Sequence, residues 1–394
     1  MNLKEMDEEY ILHSYKRNYI NFKRGENALL FDENGEDYVD FTSGIGVVSV
    51  GHANAKLSSA LCEQAGKVIH VSNLYLIEPQ AKLAKKLVQT SGYDMRLFFA
   101  NSGAEANEGA IKIARKYGEV DGEVKRYKII TLKNSFHGRT ITSLKATGQE
   151  KMHSFFGPYP DGFVYADSLD DVIDKCDEKT VAVMIELIQG EGGVEPQDKQ
   201  KVQNLQNELK KRDILLIVDE VQTGIYRTGE LFASNLYKIE PDIITMAKGL
   251  GGGVPIGAVM TRLKDIFSYG DHGSTFGGNY LSCTAGNSVL EILESYKNSG
   301  ALDEMMLYFS KKIEEIAKKF SKKIDKAVGI GFMRGLRIKS SEDLSRVIES
   351  AFLHRVLVLK AGRNTLRFLP PLTIAKKEVE LGFERLESAF KDIL

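Results

Sequence analysis

The chain is predicted to be an α/β protein whose large domain has a mostly parallel sheet covered by helices, joined to a smaller α+β domain. Between about residue 50 and residue 285, short apolar runs alternate with amphipathic helical patterns, an order typical of parallel sheets. After Asn279 the pattern changes to long helices separated by short strands. We therefore expect an N-terminal arm and hairpin (1–50) that belongs to the small domain, a large domain (51–285) and a C-terminal small domain (286–394).

Short apolar runs predict the strands of the sheet. They lie at residues 96–100, 128–132, 181–188, 214–219, 243–246 and 257–260. Amphipathic patterns predict helices at residues 105–117 and 199–211, and in the small domain at 281–296, 301–320 and 374–394. Two small-domain strands are predicted at 332–338 and 356–359. Asn34-Gly35, between two apolar runs near the N-terminus, predicts a hairpin turn.

Composition restricts the class of protein. At 394 residues the chain is long for a single domain, and its 53 basic and 54 acidic residues balance closely, which argues against a nucleic-acid partner. Cys62, Cys176 and Cys283 lie far apart without metal-ligand spacing, so we expect a reduced, cytoplasmic protein with no metal site. The acidic N-terminus and the lack of an apolar run of ~18 residues argue against a signal peptide and a membrane span.

Two charged residues end apolar runs: Asp219 follows residues 214–218, and Lys248 follows residues 243–247. A charge at the carboxyl end of a core strand is costly to desolvate unless a partner pairs with it, and ligands of open α/β sheets bind at that edge. Pyridoxal phosphate (PLP) would satisfy both residues, because its ring nitrogen needs a carboxylate and its aldehyde needs a lysine. The sequence therefore predicts PLP as the cofactor.

A turn of small residues predicts the phosphate site of this cofactor. Residues 98–105 run from a strand through Ser102, Gly103 and Ala104 into a helix, which places free backbone N–H groups, a helix dipole and a hydroxyl at one point. The alternative is an ordinary helix capped by Asn101 or Ser102. The order of this turn before the two charged strand ends favours the phosphate site.

The two charged residues also have simpler interpretations. Lys248 could be a solvated lysine at a strand end, but the glycines after it let other groups approach closely, and an apolar or cationic pocket would lower its pKa. Asp219 could simply end a strand. That interpretation does not explain why Gln222, which can hydrogen-bond a phenolic oxygen, follows it. The glycines at 249–253 do not form the Gly-x-Gly-x-x-Gly turn of a dinucleotide site.

Further candidates follow other predicted strands. Phe136 could stack on a pyridine ring and Arg139 could bind a substrate carboxylate, or the two could be a core phenylalanine and a surface arginine. Arg367 is a charge inside an apolar stretch, so it either has a buried carboxylate partner or faces a cleft. Glu186 and Glu191 bring acids to a strand end, and either could form a structural ion pair.

Taken in order, these motifs resemble those of the class III (subgroup II) PLP-dependent aminotransferases of fold type I, over nearly the whole chain. The matching segments are Asn101-Ser102-Gly103-Ala104-Glu105-Ala106-Asn107, Phe136-His137-Gly138-Arg139, Gln189-Gly190-Glu191-Gly192-Gly193, Asp219-Glu220-Val221-Gln222-Thr223-Gly224, Ala247-Lys248-Gly249-Leu250 and His272-Gly273-Ser274-Thr275-Phe276-Gly277-Gly278-Asn279. The resemblance implies a seven-stranded, mostly parallel sheet and a homodimer with shared active sites. Within the family, the motifs are most similar to those of the acetylornithine aminotransferases.

The same resemblance implies a role for each cofactor residue. Lys248 would form a Schiff base with the aldehyde, and Asp219 would hold the ring nitrogen; these two are the implied catalytic residues. The other implied contacts are Gln222 at the phenolic oxygen, Phe136 and Val221 on the two ring faces, Ser102, Gly103 and Ala104 at the phosphate, and Thr275 at the phosphate of the neighbouring subunit.

The resemblance also implies two carboxylate-binding arginines. Arg139 would bind the distal α-carboxylate of the amino donor, and Arg367 the α-carboxylate of 2-oxoglutarate. Glu191 would pair with Arg367 while the donor is bound and swing away for the acceptor. Ile45 stands where ornithine aminotransferases usually have a tyrosine that recognises a free α-amine, which disfavours ornithine. Tyr15 and Ser274 complete the implied substrate contacts.

The reaction implied is the ping-pong transfer of the δ-amino group of N2-acetylornithine to 2-oxoglutarate. An ω-aminotransferase for succinylornithine, succinyl-diaminopimelate, ornithine or 4-aminobutyrate is an alternative, because the sequence does not give the shape of the pocket. A PLP-binding sensor without turnover is another; it would lead us to expect an added DNA-binding segment or a lost lysine, and the sequence has neither. A purely structural role would leave Asp219, Lys248 and Arg367 without partners.

Overall fold

The structure is a computed structural model that describes residues 1–393. In chain order, its strands are β1 (Phe22–Glu26), β2 (Leu29–Asp32), β3 (Asp37–Asp40), β4 (Arg96–Ala100), β5 (Glu119–Val120), β6 (Glu123–Val124), β7 (Lys128–Leu132), β8 (Phe163–Ala166), β9 (Thr180–Ile185), β10 (Ile188–Gln189), β11 (Glu195–Pro196), β12 (Leu215–Asp219), β13 (Ile243–Met246), β14 (Gly257–Thr261), β15 (Ile324–Ile330), β16 (Met333–Ile338), β17 (Val356–Leu357), β18 (Leu359–Ala361) and β19 (Thr365–Phe368). Its helices are α1 (Leu3–Tyr10), α2 (Ser43–Gly46), α3 (Ala55–Ala65), α4 (Glu78–Ser91), α5 (Gly103–Tyr117), α6 (Ile141–Ala146), α7 (Leu169–Lys175), α8 (Lys199–Lys211), α9 (Ala233–Tyr237), α10 (Tyr280–Asn298), α11 (Ala301–Lys319), α12 (Ser341–Leu353) and α13 (Lys376–Lys391).

The centre of the molecule is a seven-stranded sheet. Its strands lie in the order β4-β14-β13-β12-β9-β7-β8. β14 runs antiparallel to both of its neighbours, and the other adjacent strands are parallel. The predicted α/β class and mostly parallel sheet are therefore confirmed. The middle strand β12 is buried along its whole length, which explains why its sequence is continuously apolar rather than alternating.

Helices cover both faces of this sheet. Leu215 and Ile217 of β12 belong to the core formed with α5, whereas Leu216 and Val218 belong to the core formed with α8. Successive side chains of a strand point to opposite faces, so one apolar run supplies both cores. Among residues 1–393, no helix has the length and apolarity that crossing a membrane requires.

The predicted strands needed two corrections. The edge strand β8 was not predicted; its apolar run is only four residues long, and three of the four are only partly buried. The predicted strand at residues 181–188 ends at Ile185, and the chain continues as the short strand β10. Glu186 lies between β9 and β10. Its carboxylate accepts hydrogen bonds from the backbone N–H groups of Phe136 and Gly190, which lie at the edge of the sheet.

A second layer joins the two ends of the chain. β15, β16, β19 and β18 form one antiparallel sheet, and β17 pairs in parallel with β3 of the N-terminal hairpin. Phe41 packs against Phe309 and Phe383, with ring centroids 5.4 and 5.5 Å away. On these contacts we propose that the N-terminal arm and the C-terminal region form one smaller domain.

The boundary expected near residue 285 falls within α10, which packs on α3 and α4. The sequence did not predict β15, β19 or α12; the exposed faces of β15 and α12 are charged.

Candidate active site

The carboxyl ends of β12 and β13, the start of α5 and the loop after β7 surround a cleft of about 410 Å³. A larger cavity of about 560 Å³ lies at the opposite ends of β12 and β13. Asp242 and Asp94 in that cavity are already paired with Arg262 and Lys264. The reactive side chains of the predicted site instead line the smaller cleft, which we take as the candidate active site.

Asp219 lies at the end of β12 and is held by three hydrogen bonds. Its Oδ2 accepts from Nδ1 of His137 and from Nδ2 of Asn107, each at 2.8 Å, and its Oδ1 accepts from the N–H of Val221 at 3.0 Å. Asn107 also donates to the carbonyl of His137 at 2.6 Å. All three side chains are buried, so these donors offset the cost of burying the carboxylate.

Asn107 and His137 lie within the sequence motifs, but the sequence predicted no role for either residue. The available signal for Asn107 was a polar residue on the buried, apolar face of α5. The signal for His137 was its position just after a predicted strand. Neither signal identifies Asp219 as the partner, because Asn107 lies 112 positions and His137 lies 82 positions before Asp219 in the chain.

Lys248 enters the same cleft just after β13. Its φ of 40° is a left-handed conformation that costs an L-residue about 1–2 kcal/mol. Burial, with a smaller contribution from the positive charge of Arg367, lowers the pKa of Lys248 to about 8. Near pH 7, about a tenth of such an amine is neutral, far more than for an ordinary lysine. This lysine is therefore suited to attack an aldehyde.

The small-residue turn forms a cradle at the start of α5. Ser102 is the N-cap and accepts a hydrogen bond from the N–H of Glu105 at 3.2 Å, so the predicted capping interpretation also holds. The first-turn N–H groups of Gly103 and Ala104 have no partner within a helix that begins there. A Cβ at Gly103 would lie 2.7 Å from Cγ1 of Val221, which explains the glycine. The turn therefore offers backbone donors to an anion beside Val221.

Phe136, Val221 and Arg139 also line the cleft. The guanidinium of Arg139 is exposed and lies 5.7 Å from the centroid of the Phe136 ring. The backbone of Phe136 is held by Glu186, whose Oε1 accepts its N–H at 2.8 Å. The structure thus places an aromatic ring, a branched aliphatic side chain and an exposed cation around one space.

Arg367 reaches this region from β19 and forms an ion pair with Glu191, Nη1 to Oε1 at 2.7 Å. Its side chain is 3% exposed, whereas that of Glu191 is 29% exposed. Nη1 also contacts Oε1 of Gln222 at 3.4 Å. The alternative left open by the sequence is therefore resolved: Arg367 is buried with a carboxylate partner, and that partner lines the cleft.

Besides Arg367, which contacts Glu191 without lining the cleft itself, four predicted site residues do not line the cleft of this chain. Tyr15 is 75% exposed on the N-terminal arm, and Ile45 is 44% exposed on the turn α2. Ser274 and the exposed Thr275 border a separate cavity beside Asn73. Their expected roles remain predictions.

Glu186 is a further acid of the cleft. From the sequence, a structural ion pair was one possible role for it. Instead, its carboxylate accepts hydrogen bonds from the backbone N–H groups of Phe136 and Gly190, at 2.8 and 3.2 Å. Burial raises the pKa of Glu186 to about 7. This carboxyl group joins the loop that carries Phe136 to the loop that carries Glu191.

These features fit PLP: a buried carboxylate for the ring nitrogen, a lysine with a lowered pKa for the aldehyde, and a backbone cradle for the phosphate. They define the site of a PLP-dependent enzyme. The chain belongs to the family described as aminotransferase class-III, whose model matches residues 10–390. It is therefore a PLP-dependent aminotransferase, as the motifs predicted.

Individual relatives agree with this assignment. The chain is 64% identical to an acetylornithine aminotransferase of Wolinella succinogenes over 98% of its own length and 99% of the relative. It is 45% identical to an acetylornithine aminotransferase of Aquifex aeolicus, with 98% and 100% coverage. Among solved structures, N-acetylornithine aminotransferase of Stenotrophomonas maltophilia superposes with a TM-score of 0.84 at 32% identity, covering 99% of both chains. Ornithine aminotransferase of Toxoplasma gondii gives 0.92 at 30% identity, covering 99% of this chain and 94% of that one.

The raised pKa of Glu186 predicts a pH-dependent stability. Between its ordinary pKa of 4.5 and about 7, the folded state binds more protons than the unfolded state, so stability falls as pH rises through this window. Glu186→Gln removes this titration. We expect the free energy of unfolding of the variant, relative to the parent protein, to rise by about 2–3 kcal/mol between pH 5 and pH 8.

Urea unfolding of cofactor-free protein at several pH values measures this difference. Glu208→Gln is the control, because Lys211 lowers the pKa of Glu208 and keeps that group ionised throughout the window. A Glu186→Gln difference that stays constant with pH would contradict the assignment.

Proposed function

We propose that the chain transfers the δ-amino group of N2-acetylornithine to 2-oxoglutarate, giving N-acetylglutamate 5-semialdehyde and glutamate in arginine biosynthesis. The observation that carries this proposal is the ion pair of Arg367 with Glu191, which lines the same cleft as Lys248. An arginine that can be masked suits an enzyme that accepts both an ω-amino donor and an α-keto acid. The names of the relatives at 64% and 45% identity support the choice of donor.

When bound, PLP supplies an aldehyde for the amino group and a cationic ring that accepts electrons from the substrate carbon. Lys248 would hold the cofactor through its aldehyde, and Nζ of Lys248 would take a proton from the δ-carbon of the substrate and return it. A pKa near 8 suits both tasks, since the amine must accept and return a proton near neutral pH. The residues that would hold the cofactor are Asp219 at the ring nitrogen, Gln222 at the phenolic oxygen, Phe136 and Val221 on the ring faces, and Ser102, Gly103 and Ala104 at the phosphate.

The two arginines divide the recognition of carboxylates. Arg139, exposed at the cleft, binds the distal carboxylate of either substrate. While Glu191 neutralises Arg367, the second carboxylate position is closed, so the donor presents its ω-amine to Lys248. When Glu191 turns away, Arg367 binds the α-carboxylate of 2-oxoglutarate with paired hydrogen bonds. Tyr15, Ile45 and Ser274 complete the substrate contacts in this proposal.

Ornithine is the second candidate donor, because the Toxoplasma gondii ornithine aminotransferase is a close structural neighbour. Ile45 argues against it, since an isoleucine cannot hydrogen-bond a free α-amine, whereas it leaves room for an acylated one. Succinylornithine, succinyl-diaminopimelate and 4-aminobutyrate are the further alternatives.

The active form is a cytoplasmic homodimer with shared sites in this proposal. Leu74, Tyr75 and Leu76 are 87%, 69% and 97% exposed, and Phe276 is 61% exposed beside Thr275. Contiguous exposed apolar side chains of this size are typical of interaction surfaces. A second copy of the chain would cover them and bring its Thr275 to the phosphate cradle.

A substrate panel tests the proposed donor. With 2-oxoglutarate as acceptor, kcat/KM should be highest for N2-acetylornithine, and ornithine should be at least ~10-fold poorer, because its charged α-amine is left unpaired beside Ile45. The panel also contains succinylornithine, succinyl-diaminopimelate and 4-aminobutyrate. A higher kcat/KM for any of these would replace the proposed donor.

Lys248 can be tested by chemical trapping. Borohydride should fix PLP to the protein as a secondary amine, and peptide mapping should find the adduct on Lys248. Lys248→Ala should still bind PLP but lose at least ~10³-fold in kcat, because its proton transfer is lost. Lys264→Ala, on the opposite side of the sheet, is the control. An adduct on another lysine would exclude Lys248 from this role.

The division between the arginines can be tested in separate half-reactions. Arg367→Ala should lower kcat/KM for 2-oxoglutarate by ~30-fold or more and leave the N2-acetylornithine half-reaction near the parent rate, because loss of a desolvated carboxylate pair costs roughly 2–5 kcal/mol. Arg139→Ala should impair both halves. Arg363→Ala, at a nearby arginine paired with Glu195, is the control.

Single-turnover changes in cofactor absorbance, recorded with each substrate alone, give the rate of each half-reaction. Equal slowing of both half-reactions in Arg367→Ala would show that the division of roles is wrong.

The dimer can be tested with two exposed leucines. Leu76→Glu should give monomers that release PLP, because it places a charge in the proposed interface, whereas Leu353→Glu, at a residue 80% exposed on α12, should stay dimeric. Sedimentation equilibrium with cofactor absorbance reports both properties. A monomer with stoichiometric PLP and full activity would refute shared sites.

A further inference from the structure

The turn α2 has an unusual backbone. Ser43, Gly44, Ile45 and Gly46 have φ angles of 41°, 64°, 67° and 78°, so four consecutive residues are left-handed. Glycine adopts this conformation freely, but serine does so rarely, and a β-branched isoleucine more rarely still. Such strain persists only where the surrounding structure holds it, and it concentrates at functional sites.

The buried carboxylate of Asp40 holds this turn. Its Oδ1 accepts hydrogen bonds from the N–H and hydroxyl of Thr42, at 2.8 and 2.7 Å, and from the N–H of Ser43 at 2.9 Å. Its Oδ2 contacts Nε2 of His52 at 2.8 Å. Asp40 is 1% exposed, so both of its oxygens are used within the protein to fix where the turn begins.

Two serine hydroxyls then connect this segment to both sides of the cleft. Ser43 donates to the carbonyl of Leu369 at 2.6 Å, two residues beyond Arg367. Ser49 donates to the carbonyl of Gly249 at 2.6 Å, directly after Lys248. Both serines are fully or nearly fully buried, and Val47 between them lines the cleft. One short segment therefore contacts the strand end that carries the carboxylate-binding arginine and the loop that carries the reactive lysine.

We propose that Ser43 and Ser49, held by Asp40 and the left-handed turn, form a serine clamp that sets the separation of Arg367 from Lys248. The inference rests on the proposed function, in which these two groups act on different ends of one acceptor molecule. Reacting groups on separate elements must be held within about 0.5 Å of the productive geometry. The serine clamp supplies that constraint, and its serines are positioning residues because they act through Arg367 and Lys248.

Replacing each serine separately tests the clamp in the PLP-loaded enzyme. Ser43→Ala removes the side-chain hydrogen bond to Leu369 and leaves only the backbone hydrogen bond from the N–H of Leu369 to the carbonyl of Phe41 at 2.7 Å. We expect KM for the acceptor to rise ~10-fold with kcat within about twofold. Ser49→Ala frees the Gly249 side, and we expect the rates of both half-reactions to fall ~10-fold with smaller changes in KM. Ser288→Ala is the control, because Ser288 is a buried serine on α10 whose hydroxyl has no partner among residues 1–393.

A variant at the same position separates positioning from simple destabilisation. Ser43→Gly also removes the hydroxyl, but glycine tolerates a φ of 41°, so its Tm should exceed that of Ser43→Ala. Equal KM increases in these two variants support the clamp. KM increases that follow Tm, or the same kinetic change from Ser43→Ala and Ser49→Ala, overturn it. The substrates are the best pair from the panel, so a different preferred donor would refute the proposed function without affecting this comparison.

Discussion

The arrangement of the site depends on the burial of one carboxylate, that of Asp219. A buried carboxylate is tolerated only when donors replace the water it has lost, and here the donors come from three separate elements. Asn107 lies on α5, His137 lies after β7, and the N–H of Val221 lies just after β12. α5 begins with the backbone cradle that we propose binds phosphate, and Phe136 directly precedes His137. The hydrogen bonds that offset the burial of Asp219 therefore also fix the positions of this cradle and of Phe136 around it.

The same cleft contains groups that would be unfavourable in an ordinary core. Lys248 has a lowered pKa and a left-handed backbone, Glu186 has a raised pKa, and Arg367 is almost completely buried with one carboxylate partner. Each of these features costs stability. A dianionic phosphate, a cationic ring and carboxylate substrates would offset several of these costs at once. The large apolar cores on both faces of the central sheet stabilise the fold and so offset the cost of these features.

The sequence predicted the parts of this structure that local pattern controls. The buried strands produce apolar runs, and Asp219 and Lys248 stand out because a charge ends each run. β8 was not predicted because its apolar run of four residues is short, as is common for a partly buried edge strand. The contacts of Asn107 and His137 with Asp219 depend on how distant elements pack, which periodicity does not encode. Thr275 and Tyr15 were assigned by resemblance alone, and a single chain leaves both exposed, so their roles depend on a second subunit or on movement of the arm.

The loop that carries Glu191 limits how Arg367 would change partners in the proposed reaction. The N–H of Gly190 is held by Glu186, the carbonyl of Glu191 accepts the N–H of Gly362 at 2.8 Å, and the carbonyl of Gly193 accepts from Thr365 at 3.2 Å. With its backbone held at three successive points, this loop cannot move without losing several buried hydrogen bonds. Arg367 has no room either, since its side chain is 3% exposed, whereas that of Glu191 is 29% exposed. Rotation of the Glu191 side chain about its own torsions is therefore the least costly exchange, because only one ion pair must be broken and the freed carboxylate can reach water.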